Sequence, residues 1–136
     1  MSSQSDSRWD MNKKHKLLVV EDDWLNQLAY EKILSVDYDV KICGNDEEFY
    51  SALDEGTYDL FLIDLALNSE KNGIDLIIDL RKMDRYKDTP IFVVSAFAFN
   101  KDRDLSMTAG ANKFIAKPFV NKYLLDELKK YFHSEN

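Results

Sequence analysis

Residues Tyr58-Asp-Leu-Phe-Leu-Ile-Asp64 form a short apolar run that ends on a carboxylate. A run of this length, rich in aromatic and branched side chains, predicts a buried strand with Asp64 at its C-terminal end. In an extended chain Phe61 and Ile63 face one way, Leu60 and Leu62 the other. Both faces are apolar, as in a central parallel strand covered by helices on both sides. In open α/β sheets the functional crevice lies beyond the C-terminal strand ends. Asp64 is therefore a candidate functional residue. Read alone it is equally a helix cap or turn residue, because Asp commonly follows a strand.

The rest of the chain supplies matching units. Lys16-Leu-Leu-Val-Val20 predicts a first strand, followed at once by Glu21-Asp-Asp23. Crowding acids is costly: two carboxylates about 5 Å apart at an effective dielectric near 20 repel by roughly 3 kcal/mol. A hard divalent cation such as Mg2+, which prefers oxygen ligands, offsets that cost. Asp23 is alternatively the cap of the next helix, whose apolar stripe runs through Leu25, Leu28, Ala29, Ile33 and Leu34. Trp24 opens that helix, either beside the acids or on a partner surface. Tyr38–Gly44 predicts a second strand at the sheet edge, since Asp39 and Lys41 are costly in its centre. Asn45-Asp-Glu-Glu48 supplies a cap and first-turn acids for a helix through Phe49 and Leu53 to Gly56.

Asn72-Gly73 marks a turn, followed by a helix whose apolar face is Ile74, Ile77, Ile78 and Leu80. Thr89–Ser95 predicts the fourth strand, with Pro90 tolerated at its start and Ser95 ending it as Asp64 ends the third. From Phe97 to Gly110 the pattern is a weak helix: Ser106 and Thr108 lower its propensity and its apolar stripe is thin. Asn112–Phe119 holds the fifth strand. Val120, Tyr123, Leu124, Leu128 and Tyr131 define a last amphipathic helix, with Lys129 and Lys130 at the end its dipole favours.

Strands and helices alternating in this way define a doubly wound α/β fold, (βα)5, around a five-stranded parallel sheet with right-handed crossovers. The flavodoxin-like order 2-1-3-4-5 puts the crevice between the first and third strands. Glu21, Asp22 and Asp64 meet there, and Ser95 and Lys117 arrive from neighbouring strand ends. Carboxylates from two strand ends make a metal site. A lysine opposite them balances charge and binds an anionic oxygen, and a serine hydroxyl donates to the same anion. Such a set suits transfer of a phosphoryl group to a carboxylate, with Mg2+ and Lys117 spreading charge while an aspartate attacks. Singly, Lys117 is a solvated lysine before a turn and Ser95 a cap. All of them at strand ends, in compatible order, make the grouped reading the stronger.

The 136 residues suit one domain with a sizeable core. A net charge of −7 argues against a dedicated nucleic-acid binder, which presents a basic face. Cys43, the single cysteine, has no partner for an internal disulfide and ends an apolar run, so it reads as core. No apolar stretch approaches membrane-spanning length, and the N-terminus lacks the apolar core of a secretory signal. The expectation is a cytoplasmic protein that binds neither membrane nor nucleic acid directly. Residues Met1–His15, polar and aperiodic, are expected to be a flexible arm, from which Trp9 and Met11 could dock on the domain.

From Lys16 to Phe132 the chain resembles the receiver domain of two-component response regulators, CheY-like in type. The motifs that carry this are Val19-Val-Glu-Asp22, Leu62-Ile-Asp64, Val94-Ser-Ala96 and Gly110-Ala-Asn-Lys-Phe-Ile-Ala-Lys-Pro-Phe119. The resemblance implies that Asp64 is the phosphoacceptor and Asp22 a direct Mg2+ ligand. It implies that Glu21 reaches the ion through water and that the Ala66 carbonyl completes the protein ligands. Lys117 pairs with the phosphoryl oxygens, Ser95 is the switch hydroxyl and Phe114 the coupled aromatic. A cis bond is expected between Lys117 and Pro118. The implied donor is a phosphohistidine on a sensor histidine kinase or histidine phosphotransfer protein. The chain would catalyse its own phosphorylation and slow hydrolysis, acting mainly as a switch.

By the same resemblance, phosphorylation draws Ser95 inward, turns Phe114 from a more exposed to a more buried position, and repacks the helix at 100–109. That helix, strand Lys113–Ala116 and the last helix form the face for a downstream protein target, and the resemblance allows a phosphorylation-favoured homodimer there. The expected organisation is an arm at 1–15, a receiver domain at 16–133 and no output domain. Two departures stand out. The loop Leu65–Gly73 lacks the family's usual proline and is a residue longer before its glycine, and Phe97 is large and apolar two residues past Ser95. Two other classes remain. A receiver-like binding module independent of phosphorylation is left open by those departures. A flavodoxin-like cofactor enzyme needs a glycine- or hydroxyl-rich first loop to cradle phosphate, where this chain has Glu21-Asp-Asp23.

Overall fold

The computed structural model describes residues 13–65, 71–96 and 100–133. Residues 1–12 with Trp9 and Met11, residues 66–70 with Ala66, and residues 97–99 with Phe97 lie outside the described residues. The element order is β1 (Lys16–Val20), α1 (Trp24–Leu34), β2 (Asp39–Cys43), α2 (Asp46–Glu55), β3 (Leu60–Asp64), α3 (Gly73–Lys82), a 3-10 turn (Asp84–Tyr86), β4 (Ile91–Ser95), α4 (Asn100–Ala109), β5 (Lys113–Ala116) and α5 (Asn121–His133). The strands form one parallel sheet in the order β2-β1-β3-β4-β5. This is the expected doubly wound order.

β3 is central because Leu60 to Ile63 are apolar on both faces; every residue from Leu60 to Asp64 is buried, and the one charged group, Asp64, is paired with Lys117. Its alternation divides the core in two. Phe61 and Ile63 pack with α2 and α3 through Phe49, Leu53, Leu76, Ile77 and Leu80. Leu60 and Leu62 pack with α1 and α5 through Tyr30, Leu34, Leu124 and Leu128. Burying each of these four β3 side chains contributes about 1.5–3 kcal/mol, so the strand that ends on Asp64 is among the most firmly held. β2, with exposed Asp39 and Lys41, takes the edge. Cys43 is fully buried, as core.

The helix starts are set by side-chain caps. Asp23 accepts from the Asn26 N–H at 3.0 Å, Asn45 from the Glu48 N–H at 2.8 Å, and Asn72 forms a reciprocal capping box with Asp75. Three helix faces differ from the periodicity reading. On α1 the buried residues are Tyr30 and Leu34, while Leu25 and Leu28 are exposed. On α3 Leu76 is buried and Ile78 turns outward. On α5 Leu124 and Leu128 are buried, while Tyr123, Tyr131 and, just before the helix, Val120 are exposed. In each case the helix buries a narrower face than its apolar content allows. Trp24 is exposed at the start of α1. The last two arm residues are engaged: His15 stacks on Phe132 at 4.1 Å between ring centroids, and the Lys14 ammonium donates to the Ser35 carbonyl. Among the described residues no helix is long and apolar enough to cross a membrane.

Candidate functional site at the C-terminal strand ends

The register of the sheet delivers the site. β1 and β3 are adjacent, with Val20 opposite Ile63, so the residues that follow, Glu21 and Asp64, emerge side by side. β5 runs beside β4 with Ala116 opposite Ser95, and the Lys117 N–H donates to the Ser95 carbonyl at 2.8 Å. Lys117 is thereby aimed back over the sheet. Its ammonium lies 2.6 Å from Asp64 Oδ2 and 3.4 Å from Glu21 Oε1. The peptide bond from Lys117 to Pro118 is cis.

Both acids are buried: Glu21 is 1% exposed and Asp64 6%. The second oxygen of Glu21, Oε2, accepts from the Asp23 N–H at 3.1 Å. Burial, foremost, and the neighbouring Asp64 charge push the Glu21 carboxyl above the usual carboxylate range, against the pull of the Asp23 N–H and Lys117. Burial alone would lower the Lys117 ammonium. Its hydrogen bond to Asp64 and the charges of Asp64 and Glu21 overcome that, and its pKa is raised. Lys117 therefore stays protonated throughout the physiological range.

Ser95 is buried at the end of β4. Asp22 is exposed beside Glu21, at the mouth of the crevice. The sequence-predicted residues Glu21, Asp64 and Lys117 are in direct contact, and Ser95 joins them through the sheet. Ala66 lies outside the described residues. Phe114 differs from expectation. Its ring is already buried in the core beside α3, with the Arg103 guanidinium 5.1 Å from its centroid, rather than turned outward.

The donors are all oxygen, which fits a hard cation such as Mg2+ and not a thiophilic metal. Glu21, Asp22 and Asp64 set three carboxylates against the one ammonium of Lys117, an excess of two negative charges that a divalent ion matches. Among the described residues no three His, Cys, Asp or Glu side chains already converge as a cage. The Lys117 ammonium bridges Asp64 and Glu21, and Asp22 stands outside them.

Two residues of α1 were missed by the sequence reading. The Gln27 amide donates to the Glu21 carbonyl at 2.6 Å. Tyr30 packs its ring into the core, and its hydroxyl is held far from ionisation by burial and then by the charges of Glu21 and Asp64. Tyr30 and Lys117 also share a cavity of about 260 Å3 between α1 and the start of α5, lined by Ile33, Pro118, Phe119 and Leu124. Their signal was helical spacing back towards the acids, hidden because both residue types are common on helix surfaces.

The family model for the response regulator receiver domain matches residues 17–129. The chain belongs to this family. It is 30% identical over 116 residues to the transcriptional regulatory protein CpxR of Klebsiella pneumoniae, covering 85% of this chain and 48% of that protein. It is 29% identical over 123 residues to the chemotaxis protein CheY1 of Helicobacter pylori, covering 84% and 94%. The chain thus spans about half the length of the first relative and nearly all of the second. Among solved structures it resembles the receiver domain of a Pseudomonas aeruginosa sensor histidine kinase, which holds a magnesium ion in its active-site cleft. That match has a TM-score of 0.78 at 28% identity, covering 88% of this chain and 98% of the other. A putative response regulator from Chloroflexus aurantiacus gives a TM-score of 0.80, also at 28% identity, covering 87% and 97%. The protein is a CheY-like receiver domain of the two-component type.

Proposed function

We propose that Asp64 accepts the phosphoryl group, from a phosphohistidine on a sensor histidine kinase or a histidine phosphotransfer protein. The observation that carries this is the Lys117 ammonium 2.6 Å from Asp64 Oδ2 on a buried strand end. A carboxylate there is fixed in direction, partly stripped of water and already paired with the cation its product needs. A carboxylate oxygen of Asp64 attacks phosphorus. The P–N bond breaks, its electron pair returns to the imidazole, and an acyl phosphate forms on Asp64. Lys117 then bonds a phosphoryl oxygen, and the Ser95 hydroxyl donates to another. Slow attack of water on phosphorus restores the carboxylate.

Asp22, Asp64, the Ala66 carbonyl and, through water, Glu21 would hold Mg2+. When bound, the ion supplies positive charge to the oxygens of the transferring group. The folded unit that does this is residues 16–133. The exposed face of α4, β5 and α5, with Leu105, Met107 and Tyr123 outward, is the surface for a downstream protein and for a phosphorylation-favoured homodimer. This activity belongs to the cytoplasm, where its donors carry phosphohistidine.

The test is incubation with a small phosphodonor and Mg2+, followed by intact mass and site mapping. The expected result is a single phosphoryl group on Asp64, absent in EDTA and absent from Asp64→Asn. Unchanged mass in the wild-type chain with donor and Mg2+ would favour a phosphorylation-independent binding module.

A further inference from the structure

Glu21 is the first residue past β1. The register of β1 with β2 closes at Val20 and Cys43, and the Glu21 N–H still reaches the Cys43 carbonyl at 2.9 Å. Its own carbonyl comes after the last pair of that ladder, on a residue that is 1% exposed. A carbonyl buried there needs a donor. α1 provides one. Gln27 makes the first backbone hydrogen bond of that helix, to the Asp23 carbonyl at 2.9 Å. Side chains in a first turn lean towards the helix N-terminus, and Gln27 Nε2 meets the Glu21 carbonyl at 2.6 Å.

The geometry is accommodated from the other side as well. Gly44 follows β2 at the point where Gln27 passes. A Cβ there would lie 3.1 Å from Gln27 Nε2 and 3.5 Å from Glu48 Oε1. The Gly44 N–H is itself fixed by Glu48 Oε1 at 2.7 Å. Glu21 is therefore held at its N–H by Cys43, at its carbonyl by Gln27, and at its carboxylate by Asp23 and Lys117. The Glu21 carbonyl belongs to the peptide that carries Asp22. Fixing that carbonyl fixes the direction in which the Asp22 side chain leaves the strand end.

We propose that Gln27 is a positioning residue of the phosphoryl-transfer site, which orients the Glu21–Asp22 peptide so that both carboxylates address the same cation. This rests on the reading of Asp22 and Glu21 as the acids that hold Mg2+. The contact Gln27 makes at the site is with the Glu21 carbonyl. Its removal acts on metal affinity first and on transfer only through it.

The test is calorimetric titration of the full chain with Mg2+, for the wild type, Gln27→Ala, Gln27→Glu, Gly44→Ala and the Gln27→Ala/Gly44→Ala pair, with Asp22→Asn as reference. Partners that orient metal ligands typically change affinity by 10–100-fold. Gln27→Ala is expected to weaken Mg2+ binding by about 10-fold, at the low end of that range. Gln27→Glu keeps the size but not the donor and should weaken it similarly. Gly44→Ala should weaken it less, and should add nothing once Gln27 is gone. The amide signals of Asp22 and Asp23 should move in EDTA, and saturating Mg2+ should restore the phosphorylation rate of Gln27→Ala.

Wild-type Mg2+ affinity in Gln27→Ala and Gln27→Glu, with a lowered melting temperature and a clear loss in Asp22→Asn, makes Gln27 a structural tie and overturns the proposal. Should either variant fail to fold, Gly44→Ala decides: unchanged affinity and unmoved Asp22 signals overturn it equally. Unchanged affinity in Asp22→Asn instead overturns the ligand reading on which the proposal stands.

Discussion

Lys117→Met isolates what holds the acids together. Lys117 is the counter-charge for Asp64 at 2.6 Å and Glu21 at 3.4 Å, whose side chains are only 7% and 2% exposed. Methionine keeps an unbranched apolar stem of similar length and removes the charge. Breaking a buried pair by removing one partner typically costs about 3–5 kcal/mol. Here the loss has a ceiling, because one carboxyl can take up a proton instead of remaining ionised beside the other. Glu21, already pushed upward by burial and by Asp64, is the group that does so. Protonating at pH 7 a carboxyl whose ordinary value is 4.5 costs about 3.4 kcal/mol, at 1.36 kcal/mol per pH unit. At pH 5 the same step costs only about 0.7 kcal/mol.

The sign follows from linkage. In the variant the folded-state pKa lies above the unfolded one, so the folded state keeps a proton that the unfolded chain has lost. Stability is then greatest at low pH and falls as pH rises above about 4.5. Urea unfolding in EDTA at pH 5, 6 and 7, wild type against Lys117→Met, reads this directly. The expected destabilisation is about 3 kcal/mol at pH 7, shrinking by about 2 kcal/mol or more at pH 5. A loss under about 1 kcal/mol at pH 7, or one that does not change with pH, would refute the account of the crevice as two buried carboxylates bridged by one lysine.

Gly73→Ala places a Cβ 2.9 Å from both the Asp64 carbonyl and Leu65 Cα, so the strand end must shift; phosphorylation is expected to slow by about 10-fold or more, since small misplacements of reacting groups are costly, as read by intact mass over time. Tyr50→Phe removes the hydroxyl that donates to Asp79 and accepts from Lys71. That hydroxyl is the first cause of the depressed Asp79 pKa, so a loss of about 1 kcal/mol, allowing for partial exposure, should be present at neutral pH and vanish as acid protonates Asp79; urea curves at pH 7 and pH 3 check it. Beryllofluoride with Mg2+, standing in for the acyl phosphate, should shift the NMR signals of Ser95, α4 and Phe114, and Ser95→Ala should shrink the shifts on α4. Because Phe114 is buried at the outset, a ring-current change without a gain in burial is the expected signature at β5.

The sheet was legible because strand burial is written in period two and short runs: β3 with apolar residues on both faces, β2 with charges that force it to the edge. Two helix starts were legible from Asp23 and Asn45, residues whose side chains satisfy exposed N–H groups; Asn72, legible only as a turn residue, proves to cap the third. Helix faces were not. Leu25, Leu28, Ile78, Val120 and Tyr123 fit an apolar stripe in sequence yet point outward. The eleven-residue α1 buries only Tyr30 and Leu34 against the sheet. For the site, strand-end position picked out Glu21, Asp64, Ser95 and Lys117. It could not show that Glu21 would be buried and Asp22 exposed, which depends on the turn that Asp23 and Gln27 impose. Nor could it show Phe114 lying inward, which depends on how Arg103 covers it.

Those last contacts bear on how a change at Asp64 can reach the surface. α4 is held unequally along its length. Past its C-terminus, Gly110 has φ +127°, a conformation suited to glycine, and its carbonyl accepts from Arg81 Nε at 3.0 Å and from an Arg81 terminal nitrogen at 2.8 Å. The same guanidinium bonds the carbonyls of Tyr86 and Thr89 and the Asn112 side chain, which also accepts from the Ile91 N–H. Five acceptor contacts through one side chain tie α3, the segment before β4 and the start of β5 to that point. Earlier in α4 the Arg103 guanidinium makes a cation–π approach to Phe114, of the order of 0.5–2 kcal/mol. Gly110 is thus a firmly tied point at the C-terminal end of α4. With that end tied, beryllofluoride and Mg2+ are expected to swing α4 about Gly110 rather than slide it, read as larger NMR shifts at Leu105 than at Met107, both exposed; equal shifts along the helix would refute the swing.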